Sequence, residues 1–189
     1  MIGGVLAVVT MAALVIGGNG TKARKAQDFP LPVIGAGGPA RTGWTVMSAY
    51  RKGPAITYLV PLAGSSNVSI PSVVLMCRQI SFSVTVRGFT PDNAWPQPPL
   101  TTRIGEVRRV GSPEVTASGE RPALGYGFAI ADEVLEPLAR GEAISFEFNG
   151  ETIDPPIIPE AMRLEFVERC GSLVHPGMRR RGAASDRVY

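Results

Sequence analysis

The chain has two cysteines and one histidine in 189 residues, and their spacing restricts the chemistry open to them. A Cys-His nucleophilic pair needs a free thiolate and a positioned base. Cys170 and His175 are close in sequence, but His175 opens the stretch HPGMRRRGAASDRVY, which has no apolar periodicity to hold a base still. Zinc needs three or four ligands at short spacing, and Cys77, Cys170 and His175 are a distant pair with one neighbour. In an oxidising compartment the two cysteines read as one disulfide, closing a loop of about 90 residues and stabilising by roughly 4 kcal/mol in the chain-entropy model. In a reducing compartment they read as two independent buried thiols.

The remaining acid-base candidates are carboxylates: Asp132, Glu133 and Glu136, then Glu165 and Glu168. A small envelope hydrolase would have to use these, yet carboxylates on short amphipathic helices form solvated faces. Neither a G-x-x-x-x-G-K-[ST] phosphate loop nor a G-x-S-x-G elbow occurs. Gly35 to Ala40 fits G-x-G-x-x-G/A, but Pro30 and Pro32 spoil the strand it needs, and the next acidic residue is as far away as Asp92. The sequence therefore assigns no catalytic residue, metal ligand or cofactor. Its binding candidates are Trp95, in the Pro-rich stretch GFTPDNAWPQPP, and Arg103, Arg108 and Arg109 in the segment after it. Trp95 reads either as an exposed anchor or as a lid folded onto the core.

The elements that must position these residues are mostly strands. Gly at 22 and Pro at 17 positions favour strands and turns over long helices. Trp44 to Tyr50 and Ala55 to Val60 flank a turn at Arg51-Lys52-Gly53-Pro54. Val73 to Cys77 is a continuous apolar run. After Arg78-Gln79 the period becomes two, with Ile80, Phe82, Val84 and Val86 on one face and Ser81, Ser83, Thr85 and Arg87 on the other. Thr101 to Val110 reads as one strand, Gly111 to Pro122 as loop, and Ala123 to Ile130 as strand. Asp132 is the expected N-cap of a short helix ending at Gly141. Ala143 to Phe148 and Glu151 to Ile153 form a hairpin on Asn149-Gly150. Glu160 to Cys170 alternates enough to be a strand, but Pro159 at its start and Gly171 as its stop favour a helix.

The ends differ from this middle. Met1 to Thr21 carries no charged side chain and includes the apolar run Ile2 to Ile16, the length of a secretory h-region rather than of a bilayer span. Lys22, Arg24 and Lys25 follow the run instead of preceding it, which for an uncleaved anchor argues for an inside domain. A buried core helix is the third reading, although the run lacks a polar face. Net charge is +3, unevenly spread. Pro30 to Thr90 holds five basic and no acidic residues, whereas Pro91 to Met178 holds 14 acidic residues and seven arginines. This reads as two halves of complementary charge rather than a nucleic-acid face, so no nucleic acid is expected as a partner. Two formal glycosylation acceptors occur, at Asn19 and Asn67.

The order of features resembles small bacterial periplasmic two-cysteine proteins: the N-terminal run, Gly43-Trp44-Thr45-Val46, Val74-Leu75-Met76-Cys77-Arg78, Arg103-Ile104-Gly105, Leu138 to Gly141, and a last helix ending at Cys170. The families it is most similar to are the type VI secretion-associated lipoprotein-like accessory family and the invasion-associated locus B family, over Trp44 to Leu173. That resemblance implies a non-enzymatic envelope accessory with Cys77 bonded to Cys170. The expectation is an α+β fold, mainly one antiparallel β-sheet of about seven or eight strands with two short helices near the C-terminal end. Residues 1–25 are expected to be a signal peptide or membrane anchor, 26–43 a linker, 44–174 one domain and 175–189 a disordered basic tail. The expected location is periplasmic or secreted, with inner-membrane anchoring through residues 1–21 if the run is uncleaved, and the expected partner is another envelope protein. A membrane-tethered cytoplasmic or phage structural protein is the alternative that the misplaced basic residues favour.

Overall fold

The computed structural model describes residues 39–47, 53–93, 95–116 and 122–174. The N-terminal run, the linker up to Gly38, the turn at Arg51-Lys52, His175 and the basic tail lie outside these residues. The architecture is α+β, with two antiparallel sheets and two helices late in the chain. The α+β class, the antiparallel strands, the two late helices and the disulfide are as the sequence leads one to expect; the strands number ten rather than seven or eight and divide between two sheets among the described residues.

The larger sheet has the order β1-β2-β3-β4-β8-β7, formed by Gly43–Met47 (β1), Ala55–Pro61 (β2), Ser69–Arg78 (β3), Ser81–Arg87 (β4), Glu114–Thr116 (β7) and Ala123–Ala129 (β8). The smaller has the order β10-β9-β5-β6, formed by Leu100–Ile104 (β5), Val107–Gly111 (β6), Ile144–Phe148 (β9) and Glu151–Ile153 (β10). Between β8 and β9 the helix α1, Asp132–Arg140, carries the chain from one sheet to the other, and α2, Glu160–Val174, closes the domain.

Register shows why these segments pair. Leu75 faces Val84 and Cys77 faces Phe82 across β3 and β4, while Phe82 faces Phe128 and Val84 faces Tyr126 across β4 and β8. Each period-two apolar row therefore meets another on the same face. Ile56, Val73, Leu75, Phe82, Val84 and Val86 form a core with Leu100, Ile104, Phe146 and Phe148 of the smaller sheet and Val134, Leu135 and Leu138 of α1. Phe166 and Cys170 bring α2 into the same core, Phe166 packing edge-on against Phe82 with ring centres 6.1 Å apart. Cys170 is bonded to Cys77 with their Cα atoms 5.6 Å apart, within the ordinary span of a disulfide.

Several local expectations change. Ile80 does not join the Phe82 face: Gln79, at φ 53°, and Ile80 form a two-residue turn, and Ile80 is exposed. Thr101 to Val110 is a hairpin rather than one strand, because Gly105, at φ 57°, reverses the chain so that Ile104 pairs with Val107. The polar stretch from Gly111 contributes the short edge strand β7, paired through Val115 to Leu124. The N-cap of α1 is Ala131, without a side-chain bond; Asp132 and Glu133 instead lie in the first turn, where the helix dipole favours negative charge. Gly141 does end α1, in the left-handed conformation. Gly171 does not end α2, which is a helix and continues to Val174. Asn149 and Gly150 both have positive φ, as a two-residue hairpin turn requires.

Among the described residues Arg103–Glu147, Arg109–Glu133, Arg140–Glu136, Arg140–Glu142, Arg163–Glu160 and Arg169–Glu165 are ion pairs inside the acid-rich segment. That segment thus offsets part of its charge with its own arginines.

Candidate binding site

Trp95 belongs to the connection between β4 and β5, and a buried glutamine gives that connection its shape. The Asp92 backbone N–H donates to Gln97 Oε1 at 2.8 Å, and Gln97 Nε2 donates back to the Asp92 carbonyl at 2.7 Å. One side-chain amide thus closes a ring across the loop, satisfying both its own groups and two backbone groups. The outcome is a held loop that presents Trp95 to solvent at 75% exposure, so the lid reading does not apply. An exposed indole on a braced loop offers a large apolar surface with one N–H donor, the features of an interface anchor.

The three arginines are divided between two faces. Arg103 and Arg108 are register partners in the β5–β6 hairpin and share its outer face. Like charges placed opposite one another are destabilising, and two neighbours offset this: Glu147 on β9 lies 3.8 Å from Arg103, and Thr101 Oγ1 accepts from Arg108 at 3.5 Å. Val110 is exposed on the same face, opposite Thr101. Arg109, one residue on, points the other way; its guanidinium pairs with Glu133 of α1 and its carbonyl accepts the Tyr126 hydroxyl at 3.0 Å. Arg103 and Arg108 can therefore meet a partner carboxylate, whereas Arg109 holds β6 to β8 and α1.

Tyr126 makes this junction sensitive to alkali. Burial raises its pKa above the ordinary 10.0, against the opposing pull of the Thr102 contacts and the Arg109 charge. In the unfolded chain the phenol ionises near 10, so above that pH unfolding releases a proton that the fold retains. This contribution is complete below pH 10 and is lost as pH rises through the folded-state value. Denaturant titrations from pH 8 to 11.5 should show stability falling above pH 10, with a smaller fall in Tyr126→Phe; an identical fall would assign the effect to other groups.

Glu133 and Glu165 each pair with an arginine, and both are exposed, as are Asp132 and Glu168. Among the described residues no three His, Cys, Asp or Glu side chains gather where they could hold a metal ion, and no helix is long and apolar enough to cross a membrane. No protein-family model, curated protein or solved structure matches the chain. The sequence reading missed Gln97 and Tyr126. Gln97 carried only a weak signal, one amide among prolines, and Tyr126 looked like one more strand residue because its partner is a backbone carbonyl.

Proposed function

We propose that the chain is an exported envelope protein with a binding role, non-catalytic, that recognises another envelope protein through Trp95 and the Arg103–Arg108 face. The observation that carries this reading is the Cys77–Cys170 bond, which fits an oxidising, extracytoplasmic location. The apolar run Ile2 to Ile16 supplies the means of delivery. A fusion of the whole chain to alkaline phosphatase, which is active only after export, tests it in a Gram-negative host. Activity that disappears when Leu6 and Val8 are changed to Asp is the expected result; an inactive fusion would favour the membrane-tethered cytoplasmic alternative instead.

The braced loop leads to a second expectation. Trp95→Ala should change stability by no more than about 0.5 kcal/mol, as for exposed residues generally, while weakening partner capture by about 2 kcal/mol or more if the indole is an anchor. Co-purification from envelope extracts, run beside a thermal melt, separates the two effects. Unchanged capture would remove Trp95 from the site.

A further inference from the structure

Each sheet ends in two edge strands, and among the described residues three of these four edges are blunted. β7 is three residues long, starts with Glu114 and follows Pro113. β10 is equally short, starts with Glu151 and runs into Asp154-Pro155-Pro156. β6 carries Arg108 and Arg109, and Tyr126 covers it: the phenol hydroxyl donates to the Arg109 carbonyl at 3.0 Å, and the ring fills the space that a side chain on Gly111 would need. Short length, charge, proline and cover are the devices that keep an edge from pairing with another chain. Among the described residues β1 has none of them. Its five residues, GWTVM, include neither charge nor proline, and its register with β2 runs without a bulge from Gly43 opposite Leu59 to Met47 opposite Ala55.

The strand is also held in shape. Trp44 packs on Tyr58 with ring centres 5.4 Å apart and donates from Nε1 to the Pro156 carbonyl at 2.7 Å, which keeps its indole on the core side. The chain ahead of β1 leads away from the edge: Arg41 N–H donates to Ser69 Oγ at 2.7 Å and Ala40 N–H to the Ser66 carbonyl at 2.8 Å, both beside the start of β3 and so beyond β2. Thr45, Val46 and Met47 are only partly buried. The outward N–H and C=O groups of β1 therefore point where no described strand lies.

From these observations we infer that β1 pairs antiparallel with β1 of a second copy of this chain, joining two six-stranded sheets edge to edge. A two-fold axis at Thr45 sets Gly43 opposite Met47, Trp44 opposite Val46 and Thr45 opposite its own copy. Aromatic with β-branched and Thr with Thr are favourable cross-strand pairs, and no charge meets a like charge. The arrangement closes on itself, because both copies use the same edge. The other edge of that sheet, β7, is short and carries Glu114, so it does not continue the contact into a fibre. The Arg103–Arg108 face belongs to the smaller sheet and takes no part in the pairing. A dimer presents that face twice, which raises avidity for any partner with repeated sites. The inference depends neither on what that face binds nor on the compartment.

The test is crosslinking of the full chain in mild detergent, with Thr45→Cys as the probe and Thr152→Cys, on the blunted β10 edge, as the control. Both native cysteines are bonded to each other, so each variant has a single free thiol. A short bismaleimide should link two Thr45→Cys chains through their introduced thiols several-fold faster than two Thr152→Cys chains. Equal rates, or no link between Thr45→Cys chains, overturn the proposal. As a second readout, light scattering on the parent at rising concentration should show a dimer. Thr45→Lys, which sets two like charges opposite each other across the axis, should weaken that dimer several-fold. A parent that stays monomeric, or a dimer that Thr45→Lys leaves intact, also overturns it. If Thr45→Lys does not fold, the crosslinking rates decide.

Discussion

Replacing Cys77 and Cys170 together by serine should lower the unfolding free energy by about 4 kcal/mol and shift the denaturant midpoint accordingly. The bond joins residues 93 apart, and in the chain-entropy model the stabilisation grows with the logarithm of that loop. A loss of 4 kcal/mol is a large part of the roughly 5–15 kcal/mol by which single domains are stable. Local packing points the same way. Of the 15 residues of α2, Phe166 and Cys170 are the ones fully buried, so the helix depends on its covalent attachment more than α1 does. Hydrogen exchange should therefore rise first in α2 of the variant. The parent should show no thiol reactive with a labelling reagent until it is reduced. A midpoint that moves by less than the equivalent of about 1 kcal/mol would show that this bond has little part in stability.

Phe82→Ala should cost about 3–5 kcal/mol, the usual range for removing a buried phenylalanine. Phe82 is fully buried, faces Cys77 across the β3–β4 ladder, stacks on Phe128 at 5.3 Å and meets Phe166 edge-on. Removing its ring opens a cavity bounded on one side by sheet and on another by the disulfide, neither of which can easily move inward. Phe82→Leu, which keeps most of the volume, should cost clearly less. Urea unfolding of both variants checks the order, and equal losses would contradict the tight packing described here. Because Phe166 and the disulfide hold the same helix, Phe166→Ala should cost less in the cysteine-free background than in the parent, since residues that share a partner are not additive.

The strands were readable where the apolar period was clean and a turn had strong chemistry. Asn149-Gly150 and the Ile144, Phe146, Phe148 row needed no tertiary information, and neither did the Cys77 strand. The β5–β6 reversal was missed because Arg103-Ile104-Gly105-Glu106-Val107 keeps a strand-like composition through its turn. Ile80 misled because its spacing matches Phe82, whereas the two-residue turn at Gln79 removes it from the ladder. Gly171 failed as a stop because a glycine within a helix costs only about 1 kcal/mol, which the covalent hold at Cys170 readily outweighs. The division of the arginines between two faces could be read only after the hairpin was known. A single strand from Thr101 to Val110 would have put Arg103 and Arg109 on one face, and the hairpin instead pairs Arg103 with Arg108.

The place of the disulfide also sets how the domain responds to mechanical load. Chain enters beside Ser69, at the start of β3, and Cys77, near the end of β3, is joined to the last helix. If tension is applied between the two termini, residues 78–169 lie inside a covalent loop and bear none of it along their backbone. Among the described residues, stretching can extend only Pro39 to Cys77 and the four residues after Cys170, the first of which yields about 130 Å at roughly 3.5 Å per residue. The full described domain would yield more than three times that length if the bond were absent. A protein tethered at one end and gripped at the other would thus give way first in β1 to β3, while its second sheet, with Arg103 and Arg108, stayed out of the line of force.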